Sequence, residues 1–132
     1  MPNEPLIIAS QDLSAPGVGV HGADLVVQNW RAAGVAEMVA PLHVHRRDDE
    51  AWHVISGALR FRLADREFVA SAGSTVLVPA GVAHTFGNAG PDPSRYLLIG
   101  PSRLDELISS LHQAGPAERA SVYRRYESEL LE

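Results

Sequence analysis

The sequence predicts an all-β domain whose helices are confined to its C-terminal end, and three observations carry that reading. Short segments alternate apolar and polar residues with period two, as in Leu59-Arg60-Phe61-Arg62-Leu63. Glycine, proline and Asn/Asp clusters separate these segments at the spacing expected of strands and turns. At Pro101 the period changes, and Leu104, Leu107, Ile108 and Leu111 fall at i, i+3, i+4 and i+7, the stripe of one amphipathic helix.

The 132 residues contain no long polar or low-complexity tract, which points to one domain with room for a hydrophobic core. It divides into an N-terminal arm over 1–22, a β-barrel over 23–100 and helices over 101–132. The net charge of −5 and the dispersed arginines leave no footprint for nucleic acid or an anionic membrane, so the expected partner is a small molecule. There is no apolar run of roughly eighteen residues, and Met1-Pro2-Asn3-Glu4 lacks the basic region of a secretory signal. A cytoplasmic chain is the expectation. Cysteine is absent, which removes disulfides and thiolate chemistry. All eleven basic residues are arginine, which removes Schiff-base chemistry and lysine general bases.

Along the chain, Leu6, Ile7 and Ile8 read as a short strand before a glycine-rich connection, in which His21 is an exposed loop residue. Ala23 to Trp30 has the β-branched and aromatic content of a second strand. Val35 to Pro41 alternates as a third, with Val35, Glu37 and Val39 on one face and Ala36, Met38 and Ala40 on the other. Glu50, Trp52 and Val54 share a face, so Trp52 is expected inside and His53 outside. Leu59, Phe61 and Leu63 face inward, and a turn at Ala64-Asp65-Arg66 leads into Glu67 to Ala70 as a hairpin. Gly73 to Val78 is a further strand; Pro79-Ala80-Gly81 then turns sharply to present His84, with Phe86 on the same face. Asn88 ends that strand by bonding its own turn. Gly90 to Pro93 is a loop, and Arg95 to Ile99 closes the strands. Ser102, with Asp105 and Glu106 behind it, starts the first helix, and Gly115 ends it. His112 is read as a surface residue in its last turn. Pro116 opens a second helix, with Ala120, Tyr123, Tyr126 or Glu127, and Leu130 along one side.

His43 and His45 are separated by one residue on an extended segment, so both imidazoles share a face and can grip one ion. Glu50 lies past a polar loop, Arg46 to Asp49, that must bend to return its carboxylate to that face. The loop itself is read as a solvated charge run with no role of its own. Together with His84 these residues form a set of three imidazoles and a carboxylate. That set suits iron, manganese, cobalt, nickel, copper or zinc over calcium or magnesium.

The spacing around these residues is specific. His43-x-His45, four residues, Glu50, six residues and Gly57 form one block; Gly73, five residues, Pro79-Ala80-Gly81, two residues, His84, three residues and Asn88 form the other. In these two blocks the chain resembles the cupin family, although Glu37 stands where the family pattern places its leading glycine. The resemblance implies a double-stranded β-helix, or jelly roll, with one divalent transition metal inside the barrel on His43, His45, Glu50 and His84. It also implies a homodimer. Met38, Trp52, Phe61 and Phe86 are candidates for an apolar substrate-binding wall, suited to a small, flat organic molecule.

The fold does not determine the reaction. The first expectation is a metal-dependent oxidation of a small aromatic or polyketide-like molecule, as in the quercetin-dioxygenase-like cupins. An oxygen-independent isomerase or cyclase, with Glu50 as the catalytic base, is the second. A non-catalytic small-molecule-binding cupin is the third.

Overall fold

Apolar alternation is realised as ten strands among the residues described by the computed structural model, which are 6–9, 17–34 and 38–132. They are β1 (Gly19–His21), β2 (Leu25–Ala32), β3 (His43–His45), β4 (Glu50–Ser56), β5 (Ala58–Leu63), β6 (Arg66–Ser71), β7 (Thr75–Val78), β8 (His84–Asn88), β9 (Ser94–Pro101) and β10 (Ser128–Leu130). Two five-stranded antiparallel sheets result, ordered β1-β2-β9-β4-β7 and β10-β3-β8-β5-β6. This is the all-β, double-stranded β-helix architecture. The inward residues of both sheets meet in one core: Trp52, Val54, Val76, Val78 and Tyr96 from the first, Leu59, Phe61, Ala70 and Phe86 from the second. Alternation on β4 runs as expected, with Glu50, Trp52 and Val54 buried. His53 lies on the outer side, its Nδ1 bonded to Thr75 Oγ1 at 2.8 Å.

The turns follow their chemistry. Gly57 has φ +75°, and a Cβ there would stand 2.4 Å from Ser94 Oγ, so both the backbone and the close approach require glycine. Asn88 is buried and does more than end its own strand. Its amide donates to the carbonyls of Gly34, Gly90 and Asp92, and its Oδ1 accepts from Ser94 Oγ, tying three segments together.

Helix α1 (Ser102–Gln113) follows β9 directly. Ser102 is its first residue and not its cap; that position is taken by Pro101, and the Ser102 N–H donates to the Asp24 carbonyl. One turn of 3-10 helix, Pro116–Glu118, leads into α2 (Arg119–Arg125). Leu104 and Leu107 of α1 pack on Val122 and Tyr123 of α2 as a second apolar cluster beside the barrel.

Three expectations are corrected. Leu6 to Ala9 form no strand, and Leu6 and Ile7 are exposed; it is Gly19–His21, within the glycine-rich stretch, that pairs with β2. The proposed strand from Val35 to Pro41 lies outside the described residues at 35–37, and 38–41 contain only an isolated bridge, Met38 to Gly87. The second C-terminal helix stops at Arg125. Glu127 then takes a positive φ of 54°, and the chain turns back as β10 to pair with β3. The cause is that β3 is an otherwise open edge whose hydrogen-bonding groups need a partner.

Candidate metal centre

β3 and β8 are adjacent, and the one residue pair in their register is His43 opposite His84. The turn before β8 is fastened to the first block, since Gly81 (φ +88°) donates its N–H to the His45 carbonyl at 2.7 Å. Glu50 arrives from elsewhere. It begins β4 in the facing sheet, so the 46–49 loop carries the chain across the barrel instead of bulging within one strand. The ligand atoms of His43, His45, Glu50 and His84 lie within 4.8 Å of one another, and all four residues are buried.

The loop between them is tethered and not merely solvated. Asp48 is buried and accepts from Arg103 Nη2 at 2.7 Å, Asp49 Oδ1 accepts the Ala80 N–H at 2.9 Å, and Arg46 and Arg47 pair with Glu129 and Glu127. Adjacent charges in sequence gave no sign of these distant partners.

Hydrogen bonds orient each imidazole. His43 Nδ1 lies 2.7 Å from the Pro41 carbonyl and His84 Nδ1 lies 3.0 Å from the Val82 carbonyl. A carbonyl only accepts, so both Nδ1 atoms carry the hydrogen. His45 Nδ1 is 2.7 Å from Ser128 Oγ, and that hydroxyl donates onward to the Tyr126 carbonyl, so it too accepts from Nδ1–H. All three rings therefore offer Nε2 to the centre. His84 Nε2 and His45 Nε2 lie 3.0 and 3.3 Å from Glu50 Oε1. A neutral Nε2 lone pair and a carboxylate oxygen at that separation repel unless a proton or a metal ion lies between them, and in this way the donor set fits a transition metal.

The charges agree. In the metal-free protein burial works to raise the Glu50 carboxyl, but hydrogen bonds from His45 and His84, which need a proton on Nε2 where the ion would otherwise lie, outweigh it and bring the group down to about 2, so it is ionised. Burial, then the proximity of His84 and His45, lowers His43 to about 4. Tyr123 is pushed up to about 12 by burial and by the Glu50 charge, and Tyr96 is raised by the same two causes.

A cavity of about 250 Å³ opens beside the cluster, with His43, His45 and Glu50 on its wall; His84 lies behind them. Of the expected apolar wall, Trp52 and Phe86 face this cavity. Phe61 does not: it is fully buried, stacked on Phe68 and Phe86, because it sits two residues deeper in β5 than Leu63, the partner of His84. Alternation predicts the face but not the depth. Met38 is also off the wall, where its Sδ accepts from Arg60 Nη2 at 3.4 Å, because no regular strand runs through it.

Sequence reasoning missed the other half of the cavity. Leu104, Leu107, Ile108 and Leu111 cover it with the apolar stripe of α1, while Tyr96, Arg119 and Tyr123 add polar groups. The stripe was legible as a buried face; what it covers was not. His112, expected on the surface, is exposed but lines the cavity rim edge-on to Trp30.

The Cupin domain profile matches residues 34–100, about half of the chain and the part that carries all four metal-site residues. The protein belongs to the cupin family. Among solved structures, a cupin protein from Bacteroides fragilis superposes with a TM-score of 0.63 at 19% identity, covering 76% of this chain and 86% of that one. A conserved protein with a double-stranded β-helix domain from Klebsiella pneumoniae has a TM-score of 0.59 at 23% identity, covering 74% and 90%. A sugar phosphate isomerase from a cupin superfamily of Silicibacter pomeroyi has a TM-score of 0.54 at 27% identity; the match covers 60% of this chain and spans about half, 51%, of that one. No curated protein sequence matches the chain significantly. Among the described residues no helix is long and apolar enough to cross a membrane.

Proposed function

We propose that the protein is a metal-dependent enzyme that oxidises a small aromatic or polyketide-like molecule in the manner of a dioxygenase. The observation supporting this is the position of three imidazoles and one carboxylate, all buried, at the inner end of a largely apolar cavity. His43, His45 and His84 through Nε2, and Glu50 through its carboxylate, would hold the ion. When bound, a redox-active ion supplies activation of dioxygen and a redox-inert one supplies polarisation of a substrate carbonyl. The chain's own part is to orient and to dry the site. Trp52, Phe86 and the α1 stripe present apolar surface to a flat substrate and exclude water from its reacting face.

A second reading is an oxygen-independent isomerase or cyclase with Glu50 as base, and the isomerase among the structural neighbours favours it. One feature weighs against it: the Glu50 carboxylate, held low by its imidazole neighbours, is a weak base.

The test is elemental analysis of protein purified without added metal, followed by oxygen-electrode assays with catechols, flavonols and 1,3-diketones after reconstitution with each first-row ion. Oxygen uptake that follows one redox-active metal, and that disappears in His84→Ala, supports oxidation. Product formation unchanged under argon would replace it with the isomerase reading, and binding without product would leave a non-catalytic cupin.

A further inference from the structure

The polar groups of the cavity wall are unequally distributed between donors and acceptors. Trp30 Nε1 is already bonded to Gln28 Oε1, and the His43 and His45 imidazoles commit Nδ1 to protein acceptors. Tyr96 and Tyr123 line the cavity, and their hydroxyls have no hydrogen-bond partner among the described residues. Arg119 lies at the exposed end of the wall. Arg46, Arg47, Arg62 and Arg103 each pair with a carboxylate, whereas Arg119 forms no ion pair among the described residues. Arg119 and Tyr123 are one turn apart on α2, and the Tyr123 ring lies 5.3 Å from that of His43, so guanidinium, phenol and metal-site imidazole form a line from the mouth inward.

On an otherwise apolar wall, two hydroxyls without partners and a cation at the mouth favour a ring that carries an anionic acceptor group and a second oxygen. The cavity volume, about 250 Å³, falls just below the range of about 300–1,000 Å³ usual for drug-sized ligands, which suits a single ring. We propose that the cavity takes a one-ring carboxylic acid, its carboxylate held by Arg119 at the mouth and a second oxygen facing the Tyr96 and Tyr123 hydroxyls beside the metal-site residues. This rests on reading the cavity as the substrate site. Arg119 is then a specificity determinant: a planar guanidinium pairs two-pronged with a carboxylate and gains nothing comparable from an amide.

The experiment uses cyclohexanecarboxylate and cyclohexanecarboxamide, which match in shape and differ in charge. Trp30 and Trp52 are the two tryptophans of the chain and both line the cavity, so intrinsic fluorescence reports its occupancy. Near neutral pH the acid should bind about tenfold more tightly than the amide. Arg119→Gln should abolish that preference without changing the melting temperature, and Arg119→Lys should retain part of it. Equal affinities, binding of neither probe, or a preference that survives in Arg119→Gln overturns the inference. Metal content measured on the same samples separates this from the enzymatic reading. Stoichiometric metal without acid preference defeats only the substrate class, and acid preference without metal defeats only the metal-dependent chemistry.

Discussion

Ser128 donates to the Tyr126 carbonyl and accepts from His45, and by doing so it selects which nitrogen of that ring faces the cluster. Removing such an outer partner typically lowers metal affinity about 10–100-fold, and we expect Ser128→Ala to fall in that range by chelator competition, with His84→Ala losing the ion altogether. An unchanged affinity in Ser128→Ala would mean that the ring is oriented without it. His43 supplies a pH dependence. Its folded value, about 4, lies below the ordinary 6.5, so between those values the unfolded chain binds the extra proton. Stability of metal-stripped protein therefore falls as pH falls through that window, by up to about 3 kcal/mol at roughly 1.4 kcal/mol per unit. Glu50 acts in a lower window: its contribution is present above 4.5 and is lost as pH falls towards about 2. Urea titrations of wild type and His43→Gln should differ in slope between pH 6.5 and 4; parallel curves would show that His43 is not held neutral by the fold.

Strand β10 is the element through which the C-terminus reaches the site. It pairs Ser128 with His45 and Leu130 with His43, and Arg46 donates its N–H to the Glu127 carbonyl just before it. Deleting residues 128–132 should weaken metal binding more than Ser128→Ala does, because it also opens the edge of β3. Isothermal titration of the two variants decides this. Turns can be ranked in the same way. Gly57→Ala meets both a positive φ and Ser94 at 2.4 Å, whereas Gly81→Ala has a positive φ but no atom within 4 Å of the new Cβ. A left-handed backbone alone costs about 1–2 kcal/mol for a residue with a Cβ, so we expect Gly81→Ala near that value and Gly57→Ala clearly above it in denaturant unfolding.

The four metal-site residues join the two sheets of the whole molecule: three imidazoles come from one and the carboxylate from the other. A bound ion therefore links both halves of the barrel and adds to the stability of the folded state by mass action, about 2.7 kcal/mol at a free concentration one hundred times Kd. For a domain of this size that corresponds to a melting temperature higher by roughly 10 °C. Calorimetry with and without chelator checks it; identical transitions would show that the folded protein holds no ion. The helices complete the barrel at the same end, where Leu104 and Leu107 contribute both to the cluster with α2 and to the cavity wall.

Much of this was legible in the sequence because it is local. Period-two alternation places Trp52 inward and His53 outward, the His-x-His spacing puts two rings on one face, and the stripe of α1 marks its buried side. Pairing over long separations was not legible. Nothing near Glu50 shows that it starts a strand of the opposite sheet, and nothing near Ser128 shows that the chain leaves its helix to cover β3. Phe61 and Met38 fail as wall residues for the same reason, since periodicity gives the direction of a side chain and not its depth. Side-chain direction follows from neighbouring backbone geometry, whereas sheet order, depth and the closing of the cavity by Arg119 and Tyr123 depend on which distant surfaces bury each other, and only the tertiary structure decides that.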